Sequence, residues 1–100
     1  MPEGKSQKLV IIGAGVNGQG LALLARSLGA EVFVSEQKNI NDEAKTLFSQ
    51  NNITYEENGH TGKVFEGTDC ILISSGIPPQ SEILHEAAKR SIKIDRKSVV

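Results

Sequence analysis

"LVIIGAGVNGQG", Leu9 to Gly20, runs four apolar residues straight into a stretch with four glycines in eight positions. Leu9 to Ile12 is continuous and rich in branched side chains, the pattern of a strand buried on both faces. Beyond the glycines, Leu21, Leu24, Ala25 and Leu28 recur at helical spacing, and Gly29 supplies a stop. Gly13, Gly15 and Gly18 therefore stand in the G-x-G-x-x-G register of a strand-to-helix turn. The first glycine permits the tight turn, the second leaves space for a phosphate to approach the backbone, and the third lets the helix pack close to the strand. Amides of the first helical turn then point at the anion, helped by the helix dipole.

The remaining chain alternates in the same way. "EVFVS" (31–35) reads as a second strand, and "NINDEAKTLFSQ" as a helix with Asn and Asp near its start and Ala44, Leu47 and Phe48 on one face. "ITYEE" contains a short third strand at Ile53 to Tyr55, and "NGHTGKVFEGT" a glycine-rich loop with one helical turn. Cys70 to Ile73 is a clear strand ending at small residues. After Pro78 and Pro79, Ser81 caps a helix that carries Ile83, Leu84, Ala87 and Ala88, and Ile92 to Ile94 closes the series. Strands and crossovers in this order predict a Rossmann-like α/β fold: an open parallel sheet of about five strands, order 3-2-1-4-5, with helices on both faces. Ligands in such sheets lie where the order reverses, here between the first and fourth strands.

Bulk properties narrow the function. One hundred residues suit a single domain, and 38% apolar with 23% charged residues suit an ordinary globular one. A formal net charge of −1 argues against a nucleic-acid partner. No apolar run approaches a membrane span or a secretory leader, so a cytoplasmic protein without a membrane partner is expected. One cysteine, Cys70, excludes an internal disulfide and a thiolate metal cluster, and no metal site is expected.

Glu36 ends the second strand about 20 residues after the glycine loop, where a carboxylate reaches a ribose hydroxyl or a base edge. Glycine loop, helix and distal acid together point to a nucleotide. A complete dinucleotide site draws on two mononucleotide-binding halves, and this chain holds little more than one. Length thus tilts the choice toward a mononucleotide or nucleotide-sugar. An NAD(P)-binding domain of a dehydrogenase or nucleotide-sensing regulator stays open, as does a purely structural module.

"GAGVNG" after the first strand, "FVSE" ending the second, and "GHT" followed by "ILISSGIPP" make the chain resemble the N-terminal domain of the Mur ligases, chiefly their D-glutamate-adding branch. The similarity runs from about Lys8 to Ile94, with Ser75 where the family usually has proline. The resemblance implies a domain, residues 1–94, that binds the UDP part of UDP-N-acetylmuramoyl-L-alanine in peptidoglycan synthesis, a cell-wall pathway. By position, Val16 and Asn17 lie by the nucleotide and diphosphate, with Gly13, Gly15 and Gly18 forming the turn. Glu36, Gln37 and Lys38 surround the uracil, the Glu36 carboxylate accepting from its N–H. Ser74, Ser75 and Gly76 face the diphosphate from the fourth strand. Lys38 falls where some relatives place arginine and cannot stack as a guanidinium does.

The family couples ATP cleavage to amide formation, with Mg²⁺. That chemistry needs a G-x-x-x-x-G-K-[ST] loop or a close relative, and "GHTGKV" has the wrong spacing and strand context. ATP, Mg²⁺ and catalytic residues are therefore expected in the missing ligase domains, and no cofactor in these residues. Residues 95–100, "DRKSVV", depart from the family and are read as a tail. His60 is expected to shape its loop, His85 to lie on the surface, and Cys70 to be a small core side chain. The cluster Lys89, Arg90, Lys93, Arg96 and Lys97 reads as a solvated helix end.

Overall fold

Strand β1 (Lys8–Ile12) is the sheet's central strand, and its burial explains its composition. Val10 and Ile12 face one apolar cluster and Ile11 the opposite one, all three sealed from solvent. A strand covered on both faces has no polar side to alternate with. The computed structural model describes residues 7–74 and 82–96. Within them β1 pairs in parallel with β2 (Glu31–Ser35) and β4 (Cys70–Ile73), and the flanks are β3 (Thr54–Glu56) and β5 (Lys93–Arg96). The order is β3-β2-β1-β4-β5, as the alternation predicted.

Helices α1 (Val16–Ser27) and α2 (Asp42–Gln50) supply the core on one face, where Ala22, Ala25, Ala44 and the sealed Phe48 meet Val32 and Val34. The 3₁₀ turn η1 (Gly62–Phe65) and α3 (Glu82–Lys89) cover the other, through Val64, Ile83 and Ala87 against Val10, Ile12, Phe33, Ile71 and Ile73. The covering layer changes side between β1 and β4, which sets the switch point there.

Helix ends follow their residues. Asn41 caps α2 by accepting from the Ala44 amide at 2.8 Å. Gly29, at φ +94°, ends α1: its amide donates to Arg26 O and the Ala30 amide to Ala25 O, the paired bonds of a left-handed stop.

Five expectations are corrected. Leu24 and Leu28, placed on the inward stripe of α1, are 57% and 78% exposed, and Gly18, Ala22 and Ala25 line the buried side instead. Cys70 is half-buried rather than a core side chain, and Ala88 is exposed. β5 takes in Asp95 and Arg96, so the sheet runs two residues into the segment read as a tail, while 97–100 lie outside the described residues. β3 sits one residue later than expected. The Ser81 cap and Pro78–Pro79 lie outside the described residues.

Candidate functional site at the switch point

The carboxyl ends of β1, β2 and β4 are laced together by the glycine loop. The Gly13 amide donates to Ser35 O at 2.9 Å, tying β1 to β2, and both the amide and the hydroxyl of Ser74 donate to Ile12 O, at 3.2 and 2.9 Å. Gly13 takes φ +109°, and a side chain there would meet Ser74 Oγ at 2.3 Å. A Cβ on Gly18 would lie 2.0 Å from Gly13 O. These two glycines are therefore packing requirements of the turn. Gly15 differs: nothing lies within 4 Å of where its Cβ would be.

Gly15 is also the N-cap of α1, with no side-chain cap and no acid in the helix's first turn. α2, by contrast, has its Asn41 cap and two acids, Asp42 and Glu43. An uncapped first turn needs donors' partners from elsewhere, and an anion supplies them. Val16, 86% exposed, is an apolar side chain standing at this mouth.

Glu36 reaches the glycine loop directly. Its Oε1 accepts from the Ala14 amide at 2.7 Å and its Oε2 from the Lys38 amide at 2.9 Å. Each carboxylate oxygen keeps a further lone pair for an incoming N–H or O–H. Gln37 and Lys38 are exposed beside it, and Asn17 is half-buried. The structure thus brings Gly13, Gly15, Val16, Asn17, Gly18 and Glu36 to one mouth, with Gln37 and Lys38 at its rim. Ser74 is buried, and both of its donors are engaged with Ile12 O, so it fastens β4 to β1 rather than offering a donor outward. Ser75 and Gly76 lie outside the described residues.

Ser35 and Glu56, given no role by the sequence reading, join His60 next to this site. Ser35 is fully buried, and its Oγ is 2.6 Å from Glu56 Oε2 and 2.6 Å from His60 Nδ1. Glu56 also accepts from the Thr61 amide and hydroxyl, at 2.9 and 2.6 Å. The signal was a polar residue in a buried strand register: Ser35 shares a face with Phe33 and pairs with Glu56 across β2 and β3. His60 takes the loop-shaping role expected of it.

Desolvation holds the His60 pKa below its ordinary value against the pull of Glu56 and Glu36. At Glu56 desolvation pushes upward, but the bonds from Ser35 and Thr61, with His60 nearby, leave the carboxyl below its usual range. Both shifts act in one direction. The unfolded chain binds each proton at a higher pH than the folded one, so stability is lost as pH falls. Melting temperature is expected to decline once pH drops below about 6.5, the ordinary histidine value, and again in the carboxylate range. His60→Asn is expected to remove the first decline in thermal melts at fixed ionic strength. Its persistence in that variant would assign it to another group.

Among the described residues no group of three or more His, Cys, Asp or Glu side chains is placed to hold a metal ion, and no helix is long and apolar enough to cross a membrane. A cleft of about 430 Å³ lies between η1 and α3, lined in part by His60, Thr61, Phe65, Ile83 and Lys89. The glycine loop does not border it. Arg90, in the basic cluster, is paired with Glu86 at 2.6 Å and lies over the Phe65 ring.

Comparison with known proteins adds the family. Residues 8–83 match the model of the MurD N-terminal domain. The chain is 41% identical over 88 residues to UDP-N-acetylmuramoylalanine–D-glutamate ligase from Thermosipho melanesiensis, covering 88% of this chain and 20% of that protein. Against the enzyme of the same name from Bacteroides thetaiotaomicron the identity is 37%, over 78% of this chain and 18% of the relative. The chain thus spans about a fifth of the length of the curated relatives it matches. Among solved structures, a murein peptide ligase from Psychrobacter arcticus superposes with TM-score 0.79 at 24% identity, covering 89% of this chain and 18% of that one. A 3-hydroxyacyl-CoA dehydrogenase from Archaeoglobus fulgidus superposes at 0.65 and 18% identity, covering 94% and 34%, so the fold itself is shared beyond ligases.

Proposed function

Because the chain belongs to the MurD N-terminal domain family, we propose that it binds the uridine diphosphate part of UDP-N-acetylmuramoyl-L-alanine, as the substrate-binding domain of a D-glutamate-adding ligase in peptidoglycan synthesis. One observation carries the reading: the uncapped start of α1, with open space at Gly15, lies within one hydrogen bond of a carboxylate anchored on the same loop. The diphosphate takes the amides of Gly15, Val16 and Asn17. Ala14's amide is already held by Glu36, so it is not among the donors offered to the phosphates.

In this arrangement Glu36 accepts from the uracil N–H or a ribose hydroxyl with its remaining lone pairs, and Gln37 and Lys38 flank the base. Val16 gives the nucleoside an apolar surface. Ser74 keeps the end of β4 fastened to β1 beside the proposed diphosphate site. ATP and Mg²⁺ belong, on this reading, to the ligase domains that partner this one, and residues 1–94 bind substrate without turning it over.

Titration calorimetry and thermal shift with UDP-N-acetylmuramoyl-L-alanine, UDP and NAD(H) test the reading. A ligand at one hundred times its dissociation constant stabilises by about 2.7 kcal/mol. For a domain of this size that is a rise on the order of 10–20 °C. The uridine ligands are expected to produce it and NAD(H) is not. Stabilisation by NAD(H) alone would return the site to the dehydrogenase-like class.

A further inference from the structure

We propose that Ser35, Glu56 and His60 are positioning residues for Glu36, and so determine which base the site accepts without touching the nucleotide. The inference rests on the uridine reading above.

The hydroxyl of Ser35 owns one proton and has two partners at 2.6 Å. With Glu56 ionised, that proton goes to Oε2, since two oxygens without a hydrogen between them repel at this distance. Ser35 then offers His60 only a lone pair, and Nδ1 must carry a hydrogen. The neutral ring is therefore the Nδ1–H tautomer, and any further proton adds at Nε2 and leaves the chain of bonds intact. With the two bonds from Thr61, these contacts fasten residues 56, 60 and 61 to the end of β2.

What they fasten is the backbone that holds Glu36. The Glu36 amide donates to Glu56 O at 3.1 Å, and the Gly59 amide donates to Glu36 O at 3.1 Å. The Asn58 amide donates to Lys38 O at 2.9 Å. Between these ties the segment passes through two consecutive positive-φ residues, Asn58 at 63° and Gly59 at 125°. An asparagine pays a conformational cost there, so the turn persists because its surroundings hold it. Glu36 in turn presents a carboxylate whose two bonds, to Ala14 and Lys38, require its backbone to stay where it is. A site held this way loses selectivity when the supporting shell loosens by about 1 Å.

UDP and ADP share ribose and diphosphate and differ in the base, so the ratio of their affinities reads base selection alone. Calorimetry at pH 7.5 on the wild type, Ser35→Ala, His60→Ala and His60→Asn makes the test. The wild type is expected to prefer UDP. Ser35→Ala and His60→Ala are expected to cut the UDP-to-ADP ratio about tenfold through the UDP affinity, with ADP moving less than about threefold. His60→Asn places an amide N–H where Nδ1–H stood and is expected to restore the ratio to within about threefold. A purely structural role would lower both affinities by the same factor, or melting temperature alone, and that result overturns the proposal. If Ser35→Ala does not fold, the His60 pair, in a half-exposed loop, decides the matter by the same ratio. A wild type without preference for UDP removes the uridine reading, and this inference with it, before any variant is measured.

Discussion

Gly18→Ala is expected to lower the melting temperature by more than about 10 °C, although alanine is ordinarily the better helix residue by about 1 kcal/mol. The added methyl would sit 2.0 Å from Gly13 O and 2.8 Å from the Gly13 carbonyl carbon. Neither atom yields easily. Gly13 is pinned by the hydrogen bond that its amide donates to Ser35 O, and the preceding carbonyl, Ile12 O, accepts from both donors of Ser74. Relief requires α1 to lift from the sheet, opening the packing of Ala22 and Ala25 against Val32 and Val34. Overpacking a core costs about 1–3 kcal/mol, and more where backbone must move. A net loss of about 3 kcal/mol at 4–8 °C each gives a fall of about 12–24 °C. Gly20→Ala is the control. It lies on the same helix, exposed, with nothing within 4 Å, and is expected to hold or slightly raise the melting temperature. A fall of less than about 3 °C in Gly18→Ala would show that the helix start slides freely over the turn.

The same close approach explains which parts of the fold were legible in the residues. β2 and β4 fall where their apolar runs place them, because interior parallel strands are buried on both faces and announce themselves as continuous stretches. The edge strands β3 and β5 have neighbours on one side only, and their bounds moved by a residue or two. The inward face of α1 was misread for a physical reason. Leucine spacing marks the core side of a helix at ordinary separation, whereas a glycine turn brings this helix so near the sheet that Gly18, Ala22 and Ala25 are its buried residues, with Leu21 and Leu23 packing at their flanks. Leu24 and Leu28 are left on the outer side. At the site, Glu36 was recognisable from its distance to the glycine loop, but its bond to the Ala14 amide was not, since it depends on how β1 and β2 align. Ser35, Glu56 and His60 are separated by 21 and 25 positions and meet only through the β2–β3 register and the turn that follows.

Gly15→Val is expected to cost at least 100-fold in affinity for UDP-N-acetylmuramoyl-L-alanine, about 2.7 kcal/mol, while melting within a few degrees of the wild type. The two halves of that expectation have separate causes. Gly15 has φ −75° and ψ −169°, extended backbone that any residue adopts, and the direction of its Cβ is empty. Valine is a poorer N-cap than glycine, so some loss of helix stability follows, on the order of 1 kcal/mol or less. The valine methyls, however, project into the open space beside the amides at the start of α1, where the diphosphate is proposed to sit. Gly15→Ala, with one methyl, is expected to fall between the two in affinity. Gly18→Ala weakens the fold on which the proposed site is built, whereas Gly15→Val leaves the fold and closes that site. Calorimetry paired with melting curves separates these outcomes. Binding by Gly15→Val within a few-fold of the wild type would mean that the phosphates lie away from the helix start, and the glycine loop would then be a packing device alone.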